Sequence, residues 1–436
     1  MQFFKSRFIL TILLITVSVS LLMGCQKTAP PIESTSVIPK ENTISINEVK
    51  ETDETEAQIV EFKSNETYTP VSLNYDGNTH YDIGYNYGQL VKDQFPDYES
   101  DIEAYLIEMI GDEETYNEML NRVHEILPQL NENYIKEMTG FSDGLSGHNT
   151  TVYGDGLLSK DEIYLLNIVP DVIRDTSCSA LAVFNEKSNT GNTIVGRHMD
   201  WPIDSRENIL KYHTVTSFNN KEKSIVTVGY IGILSCLTGF NNNNIFAAEL
   251  DGNSNSEYIA TRKKSYSFDM RYALEETSSL EAYISYMQDD KHLYTYGHSI
   301  IVSDESKAVV IENSIDGEIK SSSIRTSTSE LKASINWPHK YAICSVNSFL
   351  LENLSDSEEL KRNNKVRWEG YHALLDSAST KMSSNDLEAI LSEEDVRLDW
   401  RQQSVIYDQH SRSLLVDFRQ VNDDDFKPLE FLKVKY

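Results

Sequence analysis

The apolar residues of this chain change their spacing at Thr176, and this change limits the folds that the chain can adopt. Over residues 81–172 they recur every three or four positions, a spacing that predicts amphipathic helices. After Thr176 the chain consists of short runs rich in Val, Ile, Thr and aromatic residues, separated by turn clusters, which predicts strands. Blocks of helices and blocks of strands indicate an α+β fold rather than strict βαβ alternation.

The same patterns assign individual elements in the second half of the chain. Strands are predicted at 179–184, 193–197, 212–218, 224–230, 298–302, 308–312, 341–346, 404–407 and 414–418. Helices are predicted at 267–276, 279–288 and 358–376. The asparagine run 241–244 is predicted to be a hairpin loop.

The first residues have the character of an export signal. Lys5 and Arg7 precede an apolar run, 8–23, that is short for a membrane span. The run ends in Leu22-Met23-Gly24-Cys25, which resembles the lipobox of bacterial lipoproteins. The resemblance implies that 1–24 is a lipoprotein signal peptide, that Cys25 is lipidated, and that the protein is anchored to the outer face of a bacterial membrane in the cell envelope. A retained N-terminal anchor is the alternative.

The segment 25–66 is rich in Thr, Ser, Glu and Pro and has hardly any aromatic residues. Such a segment cannot bury enough apolar surface to fold, so we expect a flexible tether, with the folded part beginning near Thr67. The formal net charge of -29 argues against nucleic acid or anionic lipid head groups as ligands, because both would be repelled.

Three cysteines follow Cys25, namely Cys178, Cys236 and Cys344. An odd number in an exported chain leaves at least one thiol unpaired unless chains cross-link. None of the spacings is CxxC, so no zinc or thioredoxin-type site is predicted. These cysteines are therefore either buried apolar residues, or one of them is kept free for chemistry.

Cys178 differs from the other two by its position, because it opens the first strand of the β-rich half. An N-terminal-nucleophile hydrolase needs this arrangement. Once the preceding peptide bond is cut, the nucleophile becomes a new N-terminus and its own α-amino group can act as the base. An α-amino pKa near 8 suits a general base at working pH.

Several stretches resemble the acyl-coenzyme A:6-aminopenicillanate acyltransferase family and, more distantly, choloylglycine hydrolases, penicillin V acylases and acid ceramidases. The nucleophile region is similar at Cys178-Ser179-Ala180-Leu181-Ala182-Val183 and at Val195-Gly196-Arg197-His198-Met199-Asp200-Trp201. The propeptide half is similar at 81–88 and 140–144, and the strand pair beside the active site at 229–232 and 244–251. The resemblance extends from about Tyr81 to the C-terminal strands and implies an αββα sandwich with a mostly helical propeptide-derived chain.

The resemblance also implies roles for individual residues. Cys178 would be the nucleophile, after self-cleavage between Ser177 and Cys178. Asp200 would hold the amine and Arg197 the thiolate, which requires a bulge or a strand end near 198–199 if both are to point inward. Three further assignments concern other elements: Asn347 as an oxyanion donor, Arg367 near the catalytic amine, and Tyr230 and Asp251 as oxyanion or substrate candidates.

Two positions depart from the family pattern. Asp251 stands where the bile-salt enzymes usually have asparagine, and an ionised carboxylate cannot donate to an oxyanion. Asp251 therefore either donates to the oxyanion through its backbone N–H or has a different role. Ser177 stands where the penicillin enzyme has glycine, which is compatible with cleavage but does not support it, so transfer to coenzyme A is not implied. Hydrolysis is favoured because coenzyme A would be scarce outside the membrane.

Each residue also has a structural interpretation. Arg197 and Asp200 could form a surface ion pair, Asn347 could cap a turn, and His198 is expected to be a strand-end histidine without a catalytic role. A non-catalytic ligand-binding envelope lipoprotein and an acyltransferase both remain alternatives. Serine and metal hydrolases are disfavoured, since the sequence contains neither GxSxG nor HExxH.

The sequence thus predicts a self-processing cysteine amidohydrolase that cleaves a linear non-peptide amide through a thioester. We expect four regions, namely the signal peptide at 1–24, the tether at 25–66, the helical propeptide at 67–177 and the catalytic region at 178–436. The expected partners are a small-molecule amide, the membrane and the cleaved propeptide chain. No cofactor, no metal and no nucleic acid is expected.

Overall fold

Two β-sheets stacked face to face, with helices on their outer faces, organise the chain in a computed structural model. The structure describes residues 59–63, 67–174, 176–252, 258–354, 360 and 362–436. The strands within these ranges are β1 (Val60–Phe62), β2 (Thr69–Asn74), β3 (Ser177–Val183), β4 (Ile194–Asp200), β5 (His213–Asn219), β6 (Ser224–Tyr230), β7 (Thr238–Asn241), β8 (Phe246–Asp251), β9 (His298–Ser303), β10 (Ala308–Asp316), β11 (Ile319–Arg325), β12 (Ala342–Val346), β13 (Arg401–Asp408), β14 (Ser413–Phe418) and β15 (Leu432–Lys433). The helices are α1 (His80–Gln94), α2 (Tyr98–Ile110), α3 (Glu113–Ile126), α4 (Glu132–Leu145), α5 (Lys160–Val172), α6 (Tyr266–Glu276), α7 (Leu280–Gln288), α8 (Arg362–Ser377) and α9 (Ser384–Ser392).

The strand orders of the two sheets are β1-β2-β5-β6-β7-β8-β9-β10-β11 and β12-β3-β4-β13-β14-β15. Every pairing is antiparallel except that of β2 with β5. Strands β3 and β12 contact β8 and β10 across the interface between the sheets. Helices α6 and α7 pack on the larger sheet, and α8 and α9 pack on the smaller one. This order of layers confirms the predicted α+β class and its αββα arrangement.

Side-chain alternation along β3 shows how one strand serves both cores. Cys178, Ala180 and Ala182 belong to the core between the sheets. Leu181 and Val183 point the other way, into the core under α8 and α9. A strand buried on both faces has to be apolar almost throughout, as β3 is.

The predicted helical half, residues 81–172, is confirmed as α1 to α5. Helices α1 and α4 approach closely through glycines on their facing sides. A Cβ added at Gly84 would lie 2.0 Å from the backbone oxygen of Glu137, and one at Gly144 would lie 2.2 Å from the backbone oxygen of Tyr85. These two positions therefore tolerate no larger residue without separating the helices.

The boundary predicted at residue 67 is wrong for part of the tether. Residues 60–62 form β1, and Val60, paired with Leu73 of β2, is buried. A three-residue strand in a polar segment is hard to recognise from sequence, because it is formed by hydrogen bonds to the neighbouring strand β2 and not by a local pattern. Residues 67–177 and 178–436 belong to one compact unit, so the predicted propeptide and catalytic regions are parts of a single domain.

Besides β1, five elements had no counterpart among the sequence-assigned helices and strands: β2, β7, β11, β15 and α9. The signal peptide, Cys25 and most of the tether lie outside the described residues. Among the residues that are described, no helix combines the length and apolar character that crossing a membrane requires.

Candidate active site

The thiol of Cys178 lies between the two sheets, at the start of β3, and is 1% exposed. Nη2 of Arg197, from the neighbouring strand β4, lies 3.2 Å from its Sγ. Burial raises the pKa of the Cys178 thiol to about 12, even though the Arg197 charge opposes that rise. A raised pKa favours the neutral thiol, which needs a base before it can act as a nucleophile.

Arg197 is held in place by the opposite sheet. Its Nη1 donates to Oγ1 of Thr238 at 2.5 Å, and its Nη2 donates to the backbone oxygen of Glu249 at 2.9 Å. Both acceptors belong to the larger sheet, on β7 and β8. The guanidinium thus bridges the two sheets and cannot turn away from the thiol without losing these bonds. This geometry excludes the alternative of a surface ion pair for Arg197.

The backbone of Cys178 is bound by Asn347 and Arg367. Its N–H donates to Oδ1 of Asn347 at 2.7 Å, and its carbonyl oxygen accepts from Nη1 of Arg367 at 2.6 Å. Nη2 of Arg367 also donates to the same Oδ1 of Asn347, at 3.2 Å. Asn364, one turn before Arg367 on α8, accepts from its Nη2 at 2.7 Å. The peptide unit on the C-terminal side of the predicted cleavage point is therefore held rigidly.

Asp200 lies on the face of the smaller sheet that is turned toward α8, opposite to Arg197. Its Oδ2 is 3.1 Å from Nη1 of Arg367, and both side chains are buried. The bulge that would turn Arg197 and Asp200 to the same side is absent from β4, because the register shift falls on its partner β13, between Arg401 and Gln403. A separation of three on a regular strand places two residues on opposite faces, so the structure corrects the expected inward orientation of both.

Burial also raises the pKa of Asp200, to about 6, with Arg367 partly offsetting the rise. Its Oδ1 is buried and has no hydrogen-bond partner among the described residues. In β3, Ser177 is the cross-strand partner of Asp200, which places this carboxylate beside the peptide bond before Cys178. A buried acceptor without a donor is costly, and a new donor nearby would be favoured.

Asp251 contacts the chain just before Ser177 and is not arranged as an oxyanion donor. Its carboxylate accepts from the Thr176 hydroxyl, and its backbone oxygen accepts from Nδ2 of Asn347 at 2.9 Å. Arg174 binds the backbone at the end of the same strand, through the carbonyl of Gly252. These contacts hold the residues before Ser177 against the end of β8.

A second carboxyl, Glu249, stands two residues before Asp251 on the same face of β8. Burial raises the pKa of both groups; the Asp251 charge raises the pKa of Glu249 further, whereas a hydrogen bond with Glu249 opposes the rise at Asp251. The charge of Arg197 opposes the rise at Glu249. Two buried acids this close favour sharing a proton over ionising together.

Tyr230 lines a cavity whose wall includes Met199 but not Cys178 itself. Its hydroxyl binds Oε1 of Gln402, so it does not point at Cys178 as a free donor. Met199, the cross-strand partner of Cys178, also lines the cavity. The remaining wall is largely apolar and includes Trp201 and, from α5, Val169. The cavity holds about 30 Å³, room for about one water molecule.

Comparisons with known proteins give weak likenesses. No protein-family model and no curated protein matches the chain. Among solved structures, an N-acylethanolamine-hydrolyzing acid amidase ortholog of Caenorhabditis elegans matches at 16% identity and a TM-score of 0.42, covering 58% of this chain and 100% of that one. Penicillin V acylase from Agrobacterium tumefaciens matches at 11% and 0.38, covering 55% and 83%. A conjugated bile acid hydrolase variant from Clostridium perfringens matches at 10% and 0.34, covering 59% and 97%. Identities and scores this low do not decide the function, which has to be argued from the site itself.

The structure brings together Cys178, Arg197, Asp200, Asn347 and Arg367, all five of the residues predicted to be catalytic. It sets His198 apart, since the ring contacts Ser404 and points away from the thiol, as expected for a histidine without a catalytic role. Cys236 and Cys344 are also buried, and burial raises the pKa of each thiol to about 12.

Sequence reasoning missed several supporting residues. Glu249 could have been suspected, because a charged side chain interrupts an apolar strand and sits two positions from Asp251. Thr238, Arg174 and Asn364 carry no signal of this kind, since their roles depend on which distant segments they meet.

Proposed function

We propose that this chain is a self-processing cysteine amidohydrolase, which cuts its own Ser177–Cys178 bond and then hydrolyses a linear non-peptide amide. One observation carries the proposal. The Sγ of Cys178 is 3.2 Å from a guanidinium nitrogen of Arg197, while its backbone N is 2.7 Å from the Oδ1 of Asn347. The same residue thus has a cation for a thiolate and an acceptor for the nitrogen that would become an amine.

Self-cleavage proceeds by transfer of an acyl group from nitrogen to sulfur. The Sγ of Cys178 attacks the carbonyl carbon of Ser177, a C–S bond forms and the C–N bond breaks. The thiol proton ends on the departing nitrogen, which becomes a free amine. Water then attacks the thioester, which releases the Ser177 carboxylate and restores the thiol. Thr176 and Arg174 support this step by holding the departing segment against β8.

The freed α-amine of Cys178 then serves as the general base. It remains next to Oδ1 of Asn347 and gains Oδ1 of Asp200 as a possible second acceptor, which would satisfy a buried atom that lacks a partner among the described residues. Arg367 holds both acceptors in place. An amine with a pKa near 8 is partly neutral at pH 7 and can take the thiol proton.

In each turnover the thiolate attacks the substrate carbonyl, the leaving amine takes the proton held by the α-amine, and a thioester forms. Water, deprotonated by the same amine, then breaks the C–S bond and releases the acid. Arg197 stabilises the thiolate. The side-chain amide of Asn347 stabilises the oxyanion once its Nδ2 leaves the carbonyl of Asp251, and one such donor contributes about 3 kcal/mol.

The acyl group is proposed to be apolar, because the cavity that Tyr230 lines has a wall of apolar side chains such as Met199, Trp201 and Val169. One wall is α5, which ends six residues before Cys178. Cutting the chain at that point would free the end of this wall and allow the cavity to widen. No cofactor takes part in the proposed chemistry.

The proposal includes the location that the first residues predict. The mature chain would begin at a lipidated Cys25, be held at the outer face of a bacterial membrane by its tether, and keep the cleaved propeptide as a partner chain. Radiolabelled palmitate incorporation into the wild type and its loss in Cys25→Ala would test this part separately.

The deciding experiment compares intact mass and N-terminal sequence for the purified wild type and Cys178→Ala. We expect the wild type to give a fragment beginning Cys178-Ser179-Ala180 and the variant to stay whole. Cys344→Ala is the matched control, because that thiol is equally buried, has its pKa raised as far, and lies on the neighbouring strand β12.

If the wild type and Cys178→Ala both remain single chains, the amine does not exist and the proposed mechanism fails. A ligand-binding protein would then be the better interpretation. If Cys344→Ala also abolishes cleavage, loss of a buried thiol has disturbed the fold, and the Cys178 result would not support nucleophilic chemistry.

A further inference from the structure

Two histidines and an aspartate meet on the outer side of the smaller sheet, away from the thiol. His372 and Asp376 lie one turn apart on the same face of α8. His339 lies in the loop that leads into β12. One ligand atom from each residue lies within 4.8 Å of the other two, and among the described residues this is the one such group of histidine, cysteine and acidic side chains.

We propose that His339, His372 and Asp376 bind a divalent transition-metal ion of the zinc class. The proposal is independent of the hydrolase function proposed above. Nδ1 of His372 is 3.2 Å from one carboxylate oxygen of Asp376, and Nε2 of His339 is 3.9 Å from the other. Tetrahedral zinc, with bonds of about 2.0–2.1 Å, places neighbouring ligand atoms roughly 3.3 Å apart. The ligand atoms lie within 4.8 Å of one another, so side-chain rotations would have to bring them together around an ion.

The environment of the His339 ring favours a metal-binding role over a role in aromatic packing alone. Its Nε2 is buried and has no hydrogen-bond partner among the described residues, and it faces the Asp376 carboxylate. A polar atom in that position is costly unless something binds it. The His339 and His372 rings lie edge to face, with centroids 4.9 Å apart, and Trp337 packs against both. Aromatic packing would hold the rings but would leave this nitrogen without a partner.

The exposure of the three residues suits a structural ion with one outward position. The side chains of His339, His372 and Asp376 are 12%, 27% and 62% exposed, so the open side faces solvent and water can complete the coordination. Two imidazoles and a carboxylate match the nitrogen and oxygen ligands of zinc. Lys187, which donates to carbonyls at the end of α8, is the nearby charge that would oppose a cation.

A metal here would join two elements that carry active-site residues. Helix α8 carries Arg367, five residues and roughly 7 Å along the helix before His372. Strand β12, which begins three residues after His339, is followed directly by Asn347. The ion would therefore brace the elements that position Arg367 and Asn347, and it would take no part in the chemistry at Cys178.

The test is a calorimetric titration with Zn²⁺ of the full chain, purified without a histidine tag and stripped with a chelator. We expect one equivalent to bind, a higher Tm with the metal, and visible Co²⁺ absorption bands typical of tetrahedral coordination. His339→Ala, His372→Ala and the conservative Asp376→Asn should each weaken binding by on the order of 100-fold or more. His124→Ala is the matched control, because His124 forms an exposed pair with Asp161 at 3.3 Å that is not part of this group.

Absence of Zn²⁺ binding by the wild type at micromolar concentrations would overturn the proposal. So would variants that bind as tightly as the His124→Ala control, because the ion would then sit elsewhere, for example on a thiol. Far-ultraviolet circular dichroism of the metal-free variants separates loss of ligands from loss of fold. Asp376→Asn, an isosteric change at an exposed position, keeps the test decisive if a histidine variant fails to fold.

Discussion

The contact between Arg367 and Asp200 provides a test of the electrostatics at the candidate site. The two side chains are buried and 3.1 Å apart, and burial raises the pKa of Asp200 to about 6 while Arg367 opposes the rise. Replacing Arg367 by methionine removes the opposing charge. We expect the variant to lose stability more severely at neutral than at acidic pH, because a buried carboxylate without its partner is disfavoured only when it is ionised.

The size of the effect follows from linkage. A carboxyl group whose pKa is raised on folding stabilises the protein below its unfolded pKa, and this stabilisation is lost as pH rises through the folded value. In the wild type that loss is complete slightly above pH 6. At 3.1 Å and an effective dielectric constant of 20, Arg367 contributes about 5 kcal/mol, enough to raise the pKa of Asp200 well above its wild-type value once Arg367 is gone. The destabilisation of Arg367→Met should therefore grow by about 1.4 kcal/mol per pH unit above 6, or about 2 kcal/mol by pH 7.5.

The assay is urea unfolding at pH 5.0, 6.0 and 7.5, with Cys178→Ala present throughout so that every chain stays whole. At pH 5.0 the cost of Arg367→Met should fall to that of its lost hydrogen bonds, about 1–3 kcal/mol. Adding Asp200→Asn should abolish the pH dependence of the Arg367→Met effect. Equal destabilisation at pH 5.0 and 7.5, or a slope that survives Asp200→Asn, would refute the reasoning.

Three further predictions concern other parts of the molecule. Burial raises the pKa of Asp171 to about 7, so the stability that its neutral form contributes is lost as pH rises from about 4 to 7. Asp171→Asn should remove up to about 4 kcal/mol of this pH dependence of the unfolding free energy, measured with urea. A pH dependence that is unchanged in Asp171→Asn would contradict the prediction. Gly84→Ala places a Cβ 2.0 Å from the backbone oxygen of Glu137 and should lower the free energy of unfolding by about 3 kcal/mol. Gly229→Ala is the control, because a Cβ there would meet nothing within 4 Å, and it should lower the free energy of unfolding by about 1 kcal/mol or less. Arg197→Gln should slow the formation of the fragment beginning at residue 178 by about 100-fold in a time course followed by mass spectrometry, and cleavage at the wild-type rate would show that the guanidinium contact with the thiol is unimportant.

Local patterns were sufficient for much of the fold. The change from helical to strand spacing at Thr176 separated α1–α5 from the β-rich half, and it placed Cys178 at the start of β3. Spacing of this kind is a property of a few neighbouring residues, so it can be recognised without knowing what they pack against. The spacing of Arg197 and Asp200 was also sufficient to predict that their side chains lie on opposite faces, because residues three apart on a regular strand point in opposite directions.

Other features were decided only when distant segments met. Arg367 joins Cys178, Asp200 and Asn347, residues that lie up to 189 positions away from it in the chain. The orientation of Asp251 toward Thr176, rather than toward an oxyanion, depends on where the end of β8 meets the segment before Cys178.

The grouping of His339 with His372 and Asp376 is of the same kind. Two of its members are recognisable as a helical pair four residues apart, but the third comes from a loop that precedes another strand. The amino-acid sequence by itself was sufficient to predict the layers, the strand that begins with Cys178 and the five residues that meet around it. Only the tertiary structure decided which charges are buried together, because burial and pairing depend on contacts across the whole fold and not on local periodicity.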